Sequence, residues 1–381
     1  MNNMTIAILA LLFVWSPHAH GQSSQGPEPS RIPSLASSLR FDSDLDFCGE
    51  ATPLDVQEVR ERWEKELLLT LADRPQVILW IKRSHRYLPV IQRMLKENNL
   101  PDDLKYIPIV ESALRPHVGS PKGAIGFWQF MESTGRIYGL KIDAAIDERR
   151  NIFKSTQAAI LYFKALYEDL GTWTLAAAAY NMGEEGLKAE MLTQRTNNFY
   201  QLYLPLETQR YIFRIIAAKT ILSNPEKYGF RINEDELYPP LEFDRLEIQL
   251  ARKVPIHIVA QAAGTYFKVI KDLNPEIRGH FLAEGNHAIS IPKGAASDFQ
   301  IRYETALNEW VANRSGQIYI VEEGDNLSTI AARFKVPLPA LLIWNNLNPN
   351  KHIHPGDQLI IYPPDDIDEK IDLESDDTPH D

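Results

Sequence analysis

Hydrophobic periodicity changes character once along this chain, near Pro225, and that change sets the architecture it can adopt. From Leu54 to about Asn224, apolar residues recur at three- and four-residue steps, the repeat of helices with one buried face. Arg60 to Leu71, Val77 to Asn98, 155–169, 172–182 and 205–223 read as helices, with Ser155 as the N-cap of the third. After Pro225 short β-rich runs take over: Leu246 to Leu250, Ala288 to Ile291, Gln317 to Val321 and Gln358 to Tyr362. Two stretches share one order. In the later one, a strand at 317–321 leads through Gly324-Asp325 to helices at 326–334 and 338–346, then a strand at 358–362. In the earlier one, helical patterns at 255–263 and 265–273 precede Asn274-Pro275. Pro292 lies 18 residues after Asn274, and Pro363 lies 17 after Asn346. Such spacing predicts a tandem repeat. The expected fold is a mainly α domain followed by small α+β units.

The ends differ from the body. Ile6 to Trp15 is an apolar run followed by Ala19-His20-Gly21, the pattern of a cleaved signal peptide over 1–21; an uncleaved N-terminal anchor is the other reading. Residues 22–46 are rich in Ser and Pro and read as a linker. Residues 365–381 carry nine acids against one lysine. That tail holds −8 of the net −11, so the body is nearly neutral. A body without basic excess argues against nucleic acid as a partner. The 364–381 stretch reads as a solvated, disordered end. The single cysteine, Cys48, excludes an internal disulfide, and no histidine pair has a ligand spacing such as HExxH, so no metal site is expected.

Three short motifs carry chemistry. Glu111-Ser112 follows the apolar run Ile107 to Val110, in a helix that Pro108 should kink. A carboxyl among apolar groups resists ionisation, as a general acid near neutral pH requires. Gly123-Ala-Ile-Gly126-Phe-Trp-Gln129 places two glycines where backbone can approach a ligand, with Phe127 and Trp128 as flat surface for a sugar ring. Tyr180-Asn181 closes a run of four alanines, with Gly183 as C-cap. Each alone reads first as a surface acid, a turn entering a core helix and a capped core helix.

Together, and in this order, they resemble the goose-type-lysozyme-like domain of family 1 lytic transglycosylases. The resemblance runs through Asp147 to Arg150 and Leu204 to Tyr211, covering roughly 100–222, and is strongest with the murein transglycosylase D branch. Phe47 to Glu50 and the following helix are similar to that branch's N-terminal segment. Met182, Glu132 and Asn151-Ile152 depart from the usual pattern. Residues 317–363 resemble a LysM module, a βααβ unit that binds N-acetylglucosamine-containing glycans, through Gly324, Asp325, Leu327, Asn345, Asn346 and His354-Pro355-Gly356. The 245–293 copy is similar but degenerate.

The resemblance implies the following. A lysozyme-like domain over 100–230, preceded by a helical segment at 47–99, cleaves the bond between N-acetylmuramic acid and N-acetylglucosamine and leaves 1,6-anhydro ends. Glu111 is the catalytic acid, then base. Tyr180 hydrogen-bonds it, while Ser112, Gly123, Gly126, Gln129, Asn181 and Tyr211 serve substrate binding. No cofactor is needed. The partners are peptidoglycan strands, with membrane or cell-wall association, and the place is the periplasm after secretion across the inner membrane. The 20 residues after Glu111 contain no second acid, and Asp143 and Asp147 are later candidates. Two alternatives stay open: a lysozyme-type hydrolase using water, and a non-catalytic wall-binding protein.

Overall fold

The computed structural model describes residues 33–40, 45–314, 318–345, 347–348 and 352–362. The signal segment, Asn346 and the acidic tail lie outside the described residues. After a short 3-10 turn at Ser37–Leu39 comes a tight hairpin, β1 (Asp46–Phe47) and β2 (Glu50–Ala51), turned by Cys48 and Gly49 at positive φ. Eight helices follow: α1 (Gln57–Ala72), α2 (Arg74–Glu97), α3 (Ile107–Ser112), α4 (Glu132–Ile137), α5 (Ile152–Leu170), α6 (Trp173–Met182), α7 (Glu184–Gln194) and α8 (Leu206–Ser223). All but α4 contribute to one core, from Phe47 to Phe230, which includes Trp63, Leu67, Ile91, Phe163, Ile212 and Phe213.

Helix α6 runs through the middle. Ala176 to Ala179 are wholly buried, and their small side chains let α5 and α8 approach closely. Its N-terminus is capped from the far end of the sequence. Glu50 accepts from the backbone N–H groups of Trp173 at 2.6 Å and Thr174 at 2.9 Å. A carboxylate at a helix N-terminus contributes about 0.3–2 kcal/mol, more when partly buried. Glu66 on α1, 3% exposed, takes a two-pronged grip from Arg210 on α8 at 2.7 and 3.0 Å. Packing therefore joins the 47–99 segment to the helices that follow it.

Local details depart from the sequence reading. Asn151, not Ser155, caps α5, by accepting from the N–H groups of Phe153 and Lys154. Ser155 is buried one turn inside the helix. Pro108 does not kink one long helix: a 3-10 segment, Asp102–Tyr106, ends and α3 begins there, so the ring sits in a first turn that needs no N–H.

Beyond α8, β3 (Phe243–Leu250) pairs antiparallel with β6 (Gly285–Pro292), Phe243 opposite Pro292 and Leu250 opposite Gly285. Between them lie β4 (Val254–Pro255), α9 (Ile256–Ala262), α10 (Phe267–Leu273) and β5 (Phe281–Leu282). Helix α11 (Phe299–Arg314) packs on α9 through Phe299, Tyr303, Ala306 and Trp310. The last unit is β7 (Ile318–Ile320), α12 (Leu327–Arg333), α13 (Leu338–Asn345) and β8 (Gln358–Ile360), with Tyr319 opposite Leu359.

One device recurs in both small units. Asn274, one residue past α10, donates to the carbonyls of Ile270 and Ser290, and its Oδ1 accepts from the Ser290 N–H at 2.7 Å. Asn345 does the same with Leu341 and Ile360. The second helix is thus clasped to the closing strand in each unit. The structural counterpart of Asn274 is Asn345, one residue earlier than the spacing to Asn346 suggested.

Candidate active site

Glu111 occupies the last turn of α3. The chain then turns away through Ala113 and Leu114, both in the left-handed region at φ 52° and 57°. Non-glycine residues there cost roughly 1–2 kcal/mol each. The strain is held by Ala113 N–H donating to Ile109 O at 2.8 Å and by Arg83 donating to Ala113 O at 3.2 Å.

The carboxyl is half-buried, and Tyr211 Oη on α8 donates to its Oε1 at 2.5 Å. Loss of water around Glu111 pushes its pKa up to about 7; the Tyr211 bond and the Arg214 charge oppose this, and the Glu207 charge adds to it. Arg214 donates to Glu207 Oε1 at 2.6 Å and reaches the Val110 carbonyl at 3.5 Å. Arg214 and Glu207 therefore set the field at the acid.

The wall beside Glu111 is the loop 118–131. Here several sequence expectations need correcting. Tyr180 does not hydrogen-bond Glu111. Its hydroxyl donates to the Trp128 carbonyl at 2.6 Å and its ring stacks on Phe163. Burial first, and then the Glu111 charge, raise its phenol well above the ordinary value. The hydroxyl that holds Glu111 is that of Tyr211. Ser112 is 2% exposed, and its Oγ lies within donating distance of the Pro108 and Phe127 carbonyls, at 3.0 and 2.8 Å. It ties α3 to the loop and presents nothing to a ligand.

Gly126 is also structural. At φ +87°, a Cβ there would stand 1.9 Å from the Arg149 carbonyl oxygen, so another segment of the chain approaches it, not a ligand. Gly123 N–H donates to Ser120 O, and Gly123 O accepts from Arg149, which engages both its backbone groups. Phe127 and Trp128 are 2% and 0% exposed and belong to the core. Gln129 and Asn181 keep open atoms. Gln129 Nε2 donates to Val118 O and Gly126 O, and among the described residues nothing donates to its Oε1. Asn181 Oδ1 accepts from Thr208 at 2.9 Å, and among the described residues nothing accepts from its Nδ2.

The acids that next follow Glu111 are engaged elsewhere. Glu132 Oε1 accepts from Arg136 Nη2 at 2.9 Å. Asp143 accepts from the N–H groups of Ala145 and Ile146. Asp147, 1% exposed, is locked to Arg149. Among the described residues no cluster of His, Cys, Asp and Glu is arranged to hold a metal ion.

The residues expected to hold glycan in the last unit are also largely scaffolding. Asp325 Oδ2 accepts from Tyr319 Oη at 2.6 Å and Glu322 N–H at 2.9 Å. Gly324 makes its turn at φ +90°, Leu327 packs on the unit's core, and Asn345 is the strand clasp.

Residues 89–202 match the transglycosylase SLT domain family, and residues 319–361 match the LysM domain family. Over 366 residues the chain is 31% identical to the membrane-bound lytic murein transglycosylase D of Escherichia coli K12, covering 91% of this chain and 78% of that protein. The chain belongs to the lytic murein transglycosylase D family. The corresponding protein of Escherichia coli O6:H1 gives the same identity and coverage. Among solved structures, the 70 kDa soluble lytic transglycosylase of Escherichia coli is 20% identical with a TM-score of 0.32, over 38% of this chain and 25% of that one. The chain thus spans about a quarter of that structure's length.

In this lytic murein transglycosylase D family member, the SLT match ends before α8, which carries Glu207, Tyr211 and Arg214. Sequence reading set Tyr211 among substrate contacts and left Glu207 without a role. Arg214 was missed, although its three- and seven-residue steps from Tyr211 and Glu207 place all three on one helical face.

Proposed function

We propose that this peptidoglycan lytic transglycosylase uses Glu111 alone as acid and then base. The carboxyl gives its proton to the glycosidic oxygen as the bond to the muramic acid anomeric carbon breaks. The substrate's acetamido oxygen attacks that carbon. Glu111, now a carboxylate, takes the proton from the C6 hydroxyl. O6 then displaces the acetamido oxygen and closes the 1,6-anhydro ring. No water is consumed. Gln129 Oε1 and Asn181 Nδ2 offer an acceptor and a donor to the glycan, and the LysM unit keeps the polymer at hand.

The observation that carries this reading is one half-buried carboxyl, with a pKa of about 7, held by Tyr211 while Asp143 and Asp147 are engaged elsewhere. Retaining and inverting glycosidases place a second carboxyl about 5–9.5 Å away. Two other acids could be rivals for activating water, but Arg136 holds Glu132 at 2.9 Å and Arg214 holds Glu207 at 2.6 Å, and their side chains are 58% and 60% exposed. The C6 hydroxyl is already on the reacting sugar, so it outcompetes water by proximity. Digestion of purified sacculi in oxygen-18 water tests this. Anhydro products one water lighter, without label from the cleavage step, are expected; labelled reducing ends as the main product would move the assignment to hydrolysis.

The pH dependence follows from the same carboxyl. The acid form is required, so kcat/KM is level below about pH 7 and falls tenfold per unit above it. Tyr211→Phe removes a bond that favours the charged form, so the falling limb moves to higher pH. A limb that stays in place in this variant would detach Tyr211 from the acid's titration. The periplasm is the proposed location, supported by the apolar run Ile6 to Trp15 and by the wall polymer as substrate.

A further inference from the structure

A buried ion pair behind the site grips its wall. Arg149 and Asp147 are 4% and 1% exposed. Arg149 donates through Nε to Asp147 Oδ1 at 2.8 Å and through Nη2 to Oδ2 at 2.9 Å. Its remaining nitrogen, Nη1, donates to the carbonyls of Gly123 at 3.1 Å and Phe130 at 3.2 Å. These carbonyls stand at the two ends of the stretch carrying Gly126 and Gln129. The Arg149 carbonyl is pressed against Gly126 between them. The same stretch meets the site through Ser112 on the Phe127 carbonyl and Tyr180 on the Trp128 carbonyl.

The pair is itself held from outside. Asp147 N–H donates to Glu276 O at 2.8 Å, Arg278 N–H donates to Ala145 O at 2.8 Å, and Ile146 bridges Ile277. Asn151 Nδ2 donates to Glu276 Oε1 at 2.9 Å. Residues 276–278 belong to the unit built on β3 and β6. A fully buried ion pair is seldom more stabilising than apolar residues of the same volume. Stability alone is a poor account of it, and its geometry is a better one.

We propose that Arg149 is a positioning residue for glycosidic cleavage: it sets the Gly123–Phe130 stretch against Glu111, and the middle unit braces it through Asp147. The proposal rests on the glycan-cleaving reading above. It also gives the degenerate middle unit a task that needs no glycan.

The test uses the full chain with the paired substitution Asp147→Leu/Arg149→Met, which keeps volume and removes the fork, beside Arg149→Lys, which keeps charge alone. Both should melt within a few degrees of the parent. Amide exchange over 119–131 should rise by about tenfold or more, with α8 unchanged. On a soluble glycan oligomer kcat should fall roughly 10- to 100-fold with a smaller change in KM. The pH limb should stay in place, because Tyr211 and Arg214 are untouched. Parental kcat and loop exchange in a folded paired variant would overturn the proposal. So would exchange that rises equally in the loop and in α8. If the parent releases no anhydro product, the functional reading falls, and loop exchange still decides the brace.

Discussion

Glu111→Gln folds as the parent does and releases no soluble muropeptides from purified sacculi. The expected loss is at least the ~10²–10⁴-fold of a missing general acid, and here the following base step is lost with it. The amide oxygen of Gln still accepts from Tyr211, so the geometry of α3 and α8 persists. The amide cannot give up a proton to the leaving oxygen. Stability provides the control. Burial raises the folded-state pKa of this carboxyl from 4.5 to about 7, so its charged form is costly to the fold above that pH. Because the folded state holds its proton more tightly than the unfolded one, the parent loses stability as pH rises from 4.5 toward 7. The Gln variant escapes that loss and should melt above the parent at about pH 8, with the gap narrowing toward pH 5. Melting curves at the two pH values and turbidity clearance check both halves. Clearance at the parental rate would remove Glu111 from the mechanism.

Gly126→Ala should be the most damaging added methyl among the described glycines. The added Cβ would sit 1.9 Å from the Arg149 carbonyl oxygen and 2.6 Å from its carbon, both backbone atoms that cannot swing aside. The position is also at φ +87°, where an L side chain is strained. Overpacking of about 1–3 kcal/mol and backbone strain of a similar size act together. The expected result is a destabilisation of roughly 3 kcal/mol or more. Gly123→Ala is the matched comparison: φ is similar at +89°, but nothing lies within 4 Å of its Cβ. It should show only the strain. Chemical denaturation of the two variants separates them, and equal losses would mean that the contact with Arg149 yields easily.

The two glycines show what a sequence can and cannot reveal. Their spacing marks a loop of special backbone, and the loop is there. What presses on Gly126 comes from a segment 23 residues further on, and no local pattern announces it. The same holds for hydroxyls. Tyr180 and Tyr211 both lie on helices, and either could reach Glu111. Only the packing of α6 and α8 decides that Tyr211 does. Ser112 sits beside the acid in sequence, but the ~100° step of the helix turns it away, into the core. Periodicity found the long helices and the order of the small units. It missed α7, where Leu187 is the one wholly buried residue, and α11, whose Phe299, Tyr303, Ala306 and Trp310 carry the helical repeat plainly. Asn345 carried two readings at once. A clasp between helix and strand uses every polar atom that glycan recognition would need.

Glu50 has a bearing on how this enzyme can be divided. The SLT family match spans 89–202, yet the helix bearing Tyr180 and Asn181 is capped by Glu50, α8 is gripped by Glu66, and the hydroxyl on Glu111 comes from residue 211. A fragment cut at the limits of family likeness would keep the acid and discard the groups that tune it and steady its neighbours. The stretch that matches the SLT family is therefore smaller than the unit that performs the chemistry. Exchange of domains between relatives would have to carry the hairpin, α1 and α8 together to transmit an active enzyme.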